Sequence, residues 1–157
     1  MGNSGGSLAA RSTGELHLLM REAGFTDIED TAASAGGWQV TDFADSGRHS
    51  LAHIVRSTGA PAVMVSFHDS DVGFVEALTP DGAAWEGLLN REVAESYEIP
   101  LESFPVESAV TAALAWSAAA GLTPDEAAVR RALTGSAVFA EDLASALMTA
   151  LGLPGAT

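Results

Sequence analysis

The spacing of apolar residues changes twice along this chain, and that change limits the fold more than any single motif. Between Ser12 and Gly24, residues Leu16, Leu19, Met20 and Ala23 fall on one helical stripe. Ser12 and Glu15 stand at capping-box spacing before it, and Gly24 is a left-handed stop after it. From Trp38 to Leu78 the pattern alternates instead. Trp38 and Val40 share a strand face, Leu51 to Val55 is a second apolar run, Val63, Val65 and Phe67 make a third, and Val72 to Leu78 a fourth. From Pro105 helical spacing returns in Val106, Val110 and Leu114, closed by Gly121. Thr123-Pro124-Asp125-Glu126 then supplies a capping residue, a proline at the first helical position and an acid at the third. A last helix sets Phe139, Leu143, Leu147 and Leu151 at four-residue steps before Gly152 and Pro154. Helix, sheet, helices in that order predict an α+β fold. The expected form is an antiparallel meander of four to five strands, with an N-terminal helix and two to three C-terminal helices on one face.

Turn chemistry fixes the expected connections. His68-Asp69-Ser70-Asp71 joins the third and fourth runs as a hairpin, and Thr79-Pro80-Asp81-Gly82 is the next turn. The stretch from Trp85 to Tyr97 is compatible with either a short helix or an irregular edge segment. Residues 1–11, rich in Gly and Ser without periodicity, read as a disordered lead-in, and residues 12–157 as a single α+β domain.

Composition excludes several chemistries. The chain has 21 Asp plus Glu against 7 Arg, with no Lys and no Cys. Disulfides, thiolate metal sites, cysteine nucleophiles and Schiff-base lysines are therefore ruled out. A net charge of −14 disfavours nucleic acid and anionic membranes as partners, because both are bound chiefly through Lys and Arg. It favours a basic protein. The amino terminus lacks a positive region leading into an apolar stretch, and it misses the myristoylation pattern at Gly6. The apolar run Ala109 to Ala120 is too short to cross a bilayer. These features predict a cytoplasmic protein, and the use of Ala and Arg suggests a GC-rich bacterial genome.

Candidate catalytic groups do not survive their context. His49 and His53 could chelate an ion on a helix, but on a strand they would stand about 13 Å apart. With Leu51 to Val55 read as strand, that pairing is discarded. His68, Asp69 and Asp71 fit a hairpin tip better than a calcium loop, which needs a further acid and a Gly at fixed spacing. Gly2-Asn3-Ser4-Gly5-Gly6 matches a nucleophile elbow in letters but lacks the strand before it and the helix after it. No catalytic residue, cofactor or metal ligand is assigned. What stands out is the placement of acid, since residues 69–107 hold −9 of the −14. A field of one sign can raise association with a cationic protein by about 10- to 1,000-fold at low salt. Its residues Asp69, Asp71, Glu76, Asp81, Glu86, Glu92, Glu95 and Glu98, with Trp85 as aromatic anchor, are the expected partner-binding set. Trp116, on an Ala-rich helix, is expected to fill core space instead.

Two collinear blocks carry a family likeness. Val65-Ser66-Phe67-His68-Asp69-Ser70-Asp71-Val72-Gly73-Phe74, followed by Asp81-Gly82 and Trp85, is one. Glu98-Ile99-Pro100-Leu101, then Val106 to Val110, Trp116, Gly121 and Pro124, is the other. Together, over about residues 63–124, they resemble immunity proteins of bacterial polymorphic toxin systems, in the family often paired with nucleic-acid deaminase toxins. That family closes soon after its proline on a short strand containing Trp, whereas here Ala127 to Leu133 continues as helix and another helix follows. The resemblance implies an α+β antitoxin without chemistry of its own, which binds a cognate toxin and covers its active site. A small acidic secretion or assembly chaperone is a second expectation. A metal-dependent hydrolase using His49, His53, His68 and Asp69 is a third.

Overall fold

A computed structural model describes residues 4–29, 32–33, 35–44 and 50–154. His49, Gly2 and Asn3 lie outside them. The chain is α+β: an open antiparallel sheet with helices against it. In chain order the elements are β1 (Gly6–Arg11), α1 (Leu16–Ala23), the two-residue β2 (Ala32–Ala33), β3 (Trp38–Phe43) and α2 (Ser50–Thr58). The hairpin β4 (Ala62–His68) and β5 (Val72–Leu78) follows, then β6 (Ala84–Leu89) and α3 (Arg91–Ser96). The chain closes with α4 (Val106–Ala119), α5 (Glu126–Thr134) and α6 (Ala140–Ala150).

Strand order is β2-β3-β1-β4-β5-β6, so only β4, β5 and β6 form the expected meander. The segment read as a lead-in supplies β1, which pairs with β3 on one side and β4 on the other. Its Gly/Ser composition records close packing, not disorder. A Cβ on Gly6 would stand 2.4 Å from the Val65 carbonyl oxygen and 2.5 Å from the Phe43 ring, and one on Gly5 2.1 Å from the Phe43 carbonyl. Leu51 to Val55, expected as a strand, lies in α2. Leu51, Ile54 and Val55 follow helical i, i+3, i+4 spacing and bury that face, while Arg56 and Ser57 face solvent. The distance argument against pairing His49 with His53 therefore loses its premise.

Helices cover both faces of the sheet, not one. On one face Leu8, Ala10, Phe43, Ala62 and Met64 pack with Leu16 and Met20 of α1 and Leu51, Ile54 and Val55 of α2. On the other, Ala9, Trp38, Val63, Val65, Val75, Trp85 and Leu89 pack with α4, α5 and α6. Strand alternation divides the residues this way, because successive side chains point to opposite faces. A small third cluster, Val72 and Leu88 with Ala94 of α3, sits on the α1/α2 face near the hairpin.

Two helix starts differ from their sequence signals. Glu15 is the N-cap of α1 and makes no side-chain cap bond; Gln39 of β3 does the capping. Its Oε1 accepts from Leu16 N–H at 3.0 Å, and its Nε2 donates to the carbonyls of Gly14 (2.8 Å) and Ser12 (3.2 Å). Asp125, not Thr123, caps α5 by accepting from Ala128 N–H at 3.1 Å. Gly24 (φ 99°) and Gly121 (φ 74°) stop their helices as expected.

Candidate functional site

The β4–β5 hairpin turns through three residues, Asp69 (φ 52°) and Ser70 (φ 60°), both left-handed, and Asp71, whose N–H donates to the His68 carbonyl at 2.9 Å. That backbone matches the twist of paired strands, and short polar residues tolerate it. The hairpin tip is as expected, and three other segments are fastened to it. Ser70 is buried. Its carbonyl accepts from Ala140 N–H at 2.7 Å, satisfying one orphan donor at the start of α6, and its hydroxyl donates to Glu141 at 2.7 Å. Asp71 accepts from the Tyr97 hydroxyl at 2.5 Å, which holds the Tyr97 pKa above its ordinary value, and Tyr97 lies edge-on to His68 with centroids 5.1 Å apart. Ser4 Oγ accepts from Asp69 N–H at 3.1 Å.

Asn90 organises this end, and the sequence reading passed over it. It is fully buried and left-handed (φ 67°), at the junction of β6 and α3. Its Nδ2 donates to the carbonyls of Asp71 (2.7 Å) and Ala137 (3.0 Å), and its Oδ1 accepts from Ala137 N–H at 3.2 Å. The available signal was Asn directly after an apolar strand, where a tight polar reversal is needed. The loop between α5 and α6 is thus pinned at Ala137 by Asn90 and at Ala140 by Ser70, and Ser136 Oγ donates to Glu92 at 3.2 Å.

The predicted partner-binding residues divide. Asp69, Asp71 and Glu92 lie in this hydrogen-bonded cluster, and Glu95 and Glu98 are exposed on and just after α3. Glu141 and Asp142, in the first turn of α6, join them. Glu76 and Glu86 face each other across β5 and β6 on the face away from α4 to α6, both exposed. Asp81 belongs to the turn at the opposite end of β5, seven strand residues or about 23 Å away. There it accepts from the Thr79 hydroxyl, which with Ala83 N–H holds its carboxyl below the usual range.

Trp85 is a correction. It was expected to be an exposed anchor, yet it is 6% exposed, on the β6 face packed against α4, α5 and α6. Alternation places it inward, since β6 continues straight out of the turn and Glu86 takes the outward position. Trp116 is buried as expected and donates to the Leu78 carbonyl at 3.1 Å. Phe139, expected on the apolar stripe of α6, is instead its N-cap. Its extended backbone turns it off that stripe, leaving it 54% exposed beside Val138 at 81%.

Three of the described arginines are held by hydrogen bonds, Arg11 and Arg130 away from this end and Arg91 directly after Asn90 on it. Arg11 lies over the Trp38 ring at 5.0 Å and donates to the Ala120 carbonyl, beside an open depression of about 560 Å³ at the far end of the sheet. Arg91 donates to the Phe104 and Leu101 carbonyls, at 2.7 and 3.2 Å, tying down the chain between α3 and α4. Arg130 forms a two-armed bond to Glu107, at 2.8 and 3.1 Å, and holds its carboxyl below the usual range. Arg131 is exposed in the last turn of α5. Among the described residues no three His, Asp or Glu are placed to hold a metal ion, and no helix is long and apolar enough to cross a membrane. No protein-family model, curated protein or solved structure matches the chain.

Proposed function

We propose that this chain is a non-enzymatic binding protein of the immunity type, which neutralises a basic toxin acting on nucleic acid by covering its active site. One observation carries the reading. Carboxylates from three separate elements, Asp69 and Asp71 of the hairpin, Glu92 of α3, and Glu141 and Asp142 of α6, converge on one end of the sheet, while Arg91 beside them is tied to backbone carbonyls and Arg11 and Arg130 are bonded elsewhere. A groove built for phosphates is lined by Lys and Arg, and fixed carboxylates are complementary to it. Their attachment to backbone-anchored segments supports a preformed surface, which limits the ordering cost of association. The sequence resemblance over residues 63–124 points the same way.

The test uses the product of the reading frame next to this one, produced alone and mixed with this chain. Expected are a stable complex and loss of the toxin's activity on nucleic acid. Replacing Asp69, Glu92 and Asp142 together by Asn, Gln and Asn should slow association about tenfold at low salt and flatten its salt dependence. Asp81→Asn should leave association unchanged at 0.15 M salt, because its site lies more than two Debye lengths away, each about 8 Å. No complex, or a rate and salt slope indifferent to the triple substitution, overturns the proposal.

A further inference from the structure

Among the described residues, the large apolar side chains left exposed are Leu18, Tyr97, Val138 and Phe139. The last three belong to the hairpin end: Tyr97 through its bond to Asp71, Val138 and Phe139 between the pinned residues Ala137 and Ala140. Two adjacent apolar side chains at 81% and 54% exposure would ordinarily be turned inward. Here the backbone on either side is fixed by a buried Asn90 and a buried Ser70, so the pair stays in water.

Acidic residues flank this pair along the chain and at the bonds that pin it. Glu92 bonds Ser136, Asp142 N–H donates to the Phe139 carbonyl at 3.1 Å, and Glu141 gives one oxygen to Ser70. The other Glu141 oxygen is buried without a hydrogen-bond partner in the structure. We infer that Val138 and Phe139 are the apolar anchor of this chain, which enters an apolar pocket bordered by Arg or Lys on a basic protein partner. This rests on the binding-protein reading above and moves the anchor from Trp85 to the α5–α6 loop. A second copy of the chain is a poor occupant, because a two-fold contact here would set Asp69, Glu92, Glu141 and Asp142 against themselves. An apolar centre with a charged rim is the arrangement in which a few residues dominate binding.

The probes are two fluorescein-labelled peptides of equal length and charge, one alternating Arg with Leu and one alternating Arg with Ser, titrated into the full chain and followed by anisotropy. The Arg/Leu peptide should bind about tenfold more tightly than the Arg/Ser peptide, the scale of an ordinary anchor contact. The double variant Val138→Ser, Phe139→Ser should abolish that difference and leave Arg/Ser binding and thermal stability unchanged, since both side chains are exposed. The triple acid variant should weaken both peptides. A difference that survives the double variant overturns the anchor while leaving the acidic surface standing. Failure of both peptides to bind overturns both readings. A wild-type dimer in light scattering that the double variant makes monomeric assigns the pair to self-association and overturns the inference.

Discussion

Asn90→Ala is the substitution that most directly probes how the hairpin end is built. The Asn90 amide has two donors and one principal acceptor role, and all are used: Nδ2 on the Asp71 and Ala137 carbonyls, Oδ1 on Ala137 N–H. Alanine removes these three bonds from a fully buried site, each worth about 1 kcal/mol net. It must also adopt φ near 67°, which costs an alanine about 1 kcal/mol where Asn is tolerant. The expected loss is about 3–4 kcal/mol, or about 6–16 °C in Tm for a chain of this size. Asn90→Gly should be about 1 kcal/mol milder, because only the backbone penalty is relieved. Asn90→Asp should be no milder than alanine, since it turns a carboxylate oxygen toward two carbonyls. Urea unfolding followed by circular dichroism measures all three. A loss below about 1 kcal/mol for Asn90→Ala, or an Asn90→Asp variant as stable as the parent, would refute the account of Asn90 as the clamp on this end.

Trp85→Ala should cost about 3–5 kcal/mol in the same assay, the usual result of emptying a buried aromatic site; parent-like stability would return Trp85 to the surface. Arg130→Met should let the Glu107 carboxyl rise back toward its ordinary value, read by NMR titration. The sign follows from Glu107 being depressed in the folded state: the stability it contributes is present above about 4.5, its unfolded value, and is lost as pH falls through the lower folded value. Unchanged Glu107 titration in the variant would show that the Arg130 contact does not hold it down.

Much of the α+β organisation was legible, and the misses have physical causes. Val63, Val65 and Phe67 share the β4 face packed against α4, α5 and α6 while Ala62 and Met64 fill the face under α1 and α2, and Gly24 and Gly121 stop helices because their backbones are left-handed. The lead-in was misread because Gly5 and Gly6 are also what a strand needs when backbone and the Phe43 ring approach its Cα atoms. Leu51 to Val55 is a short apolar run, which can be a strand or a buried helix segment, and its helical spacing governs the packing. At the hairpin end, Asp69, Asp71 and Glu92 are the residues that charge alone singles out. Asn90, Ser70, Val138 and Phe139 are not among them, because their importance lies in bonds spanning 19 to 70 residues of sequence.

Taken alone, the sequence determines most element types outside β1 and α2, the turn positions and the acidity of the middle of the chain, because periodicity, dihedral preference and charge are properties of neighbouring residues. The tertiary structure alone decides which acids meet. Asp71 and Asp81 stand close in sequence, but β5 separates them by its whole length, while Ser70 and Ala140, far apart in the chain, share a hydrogen bond. It also decides which aromatic is free. Trp85 and Phe139 exchange their expected places, because strand alternation turns one inward and the extended start of α6 turns the other out.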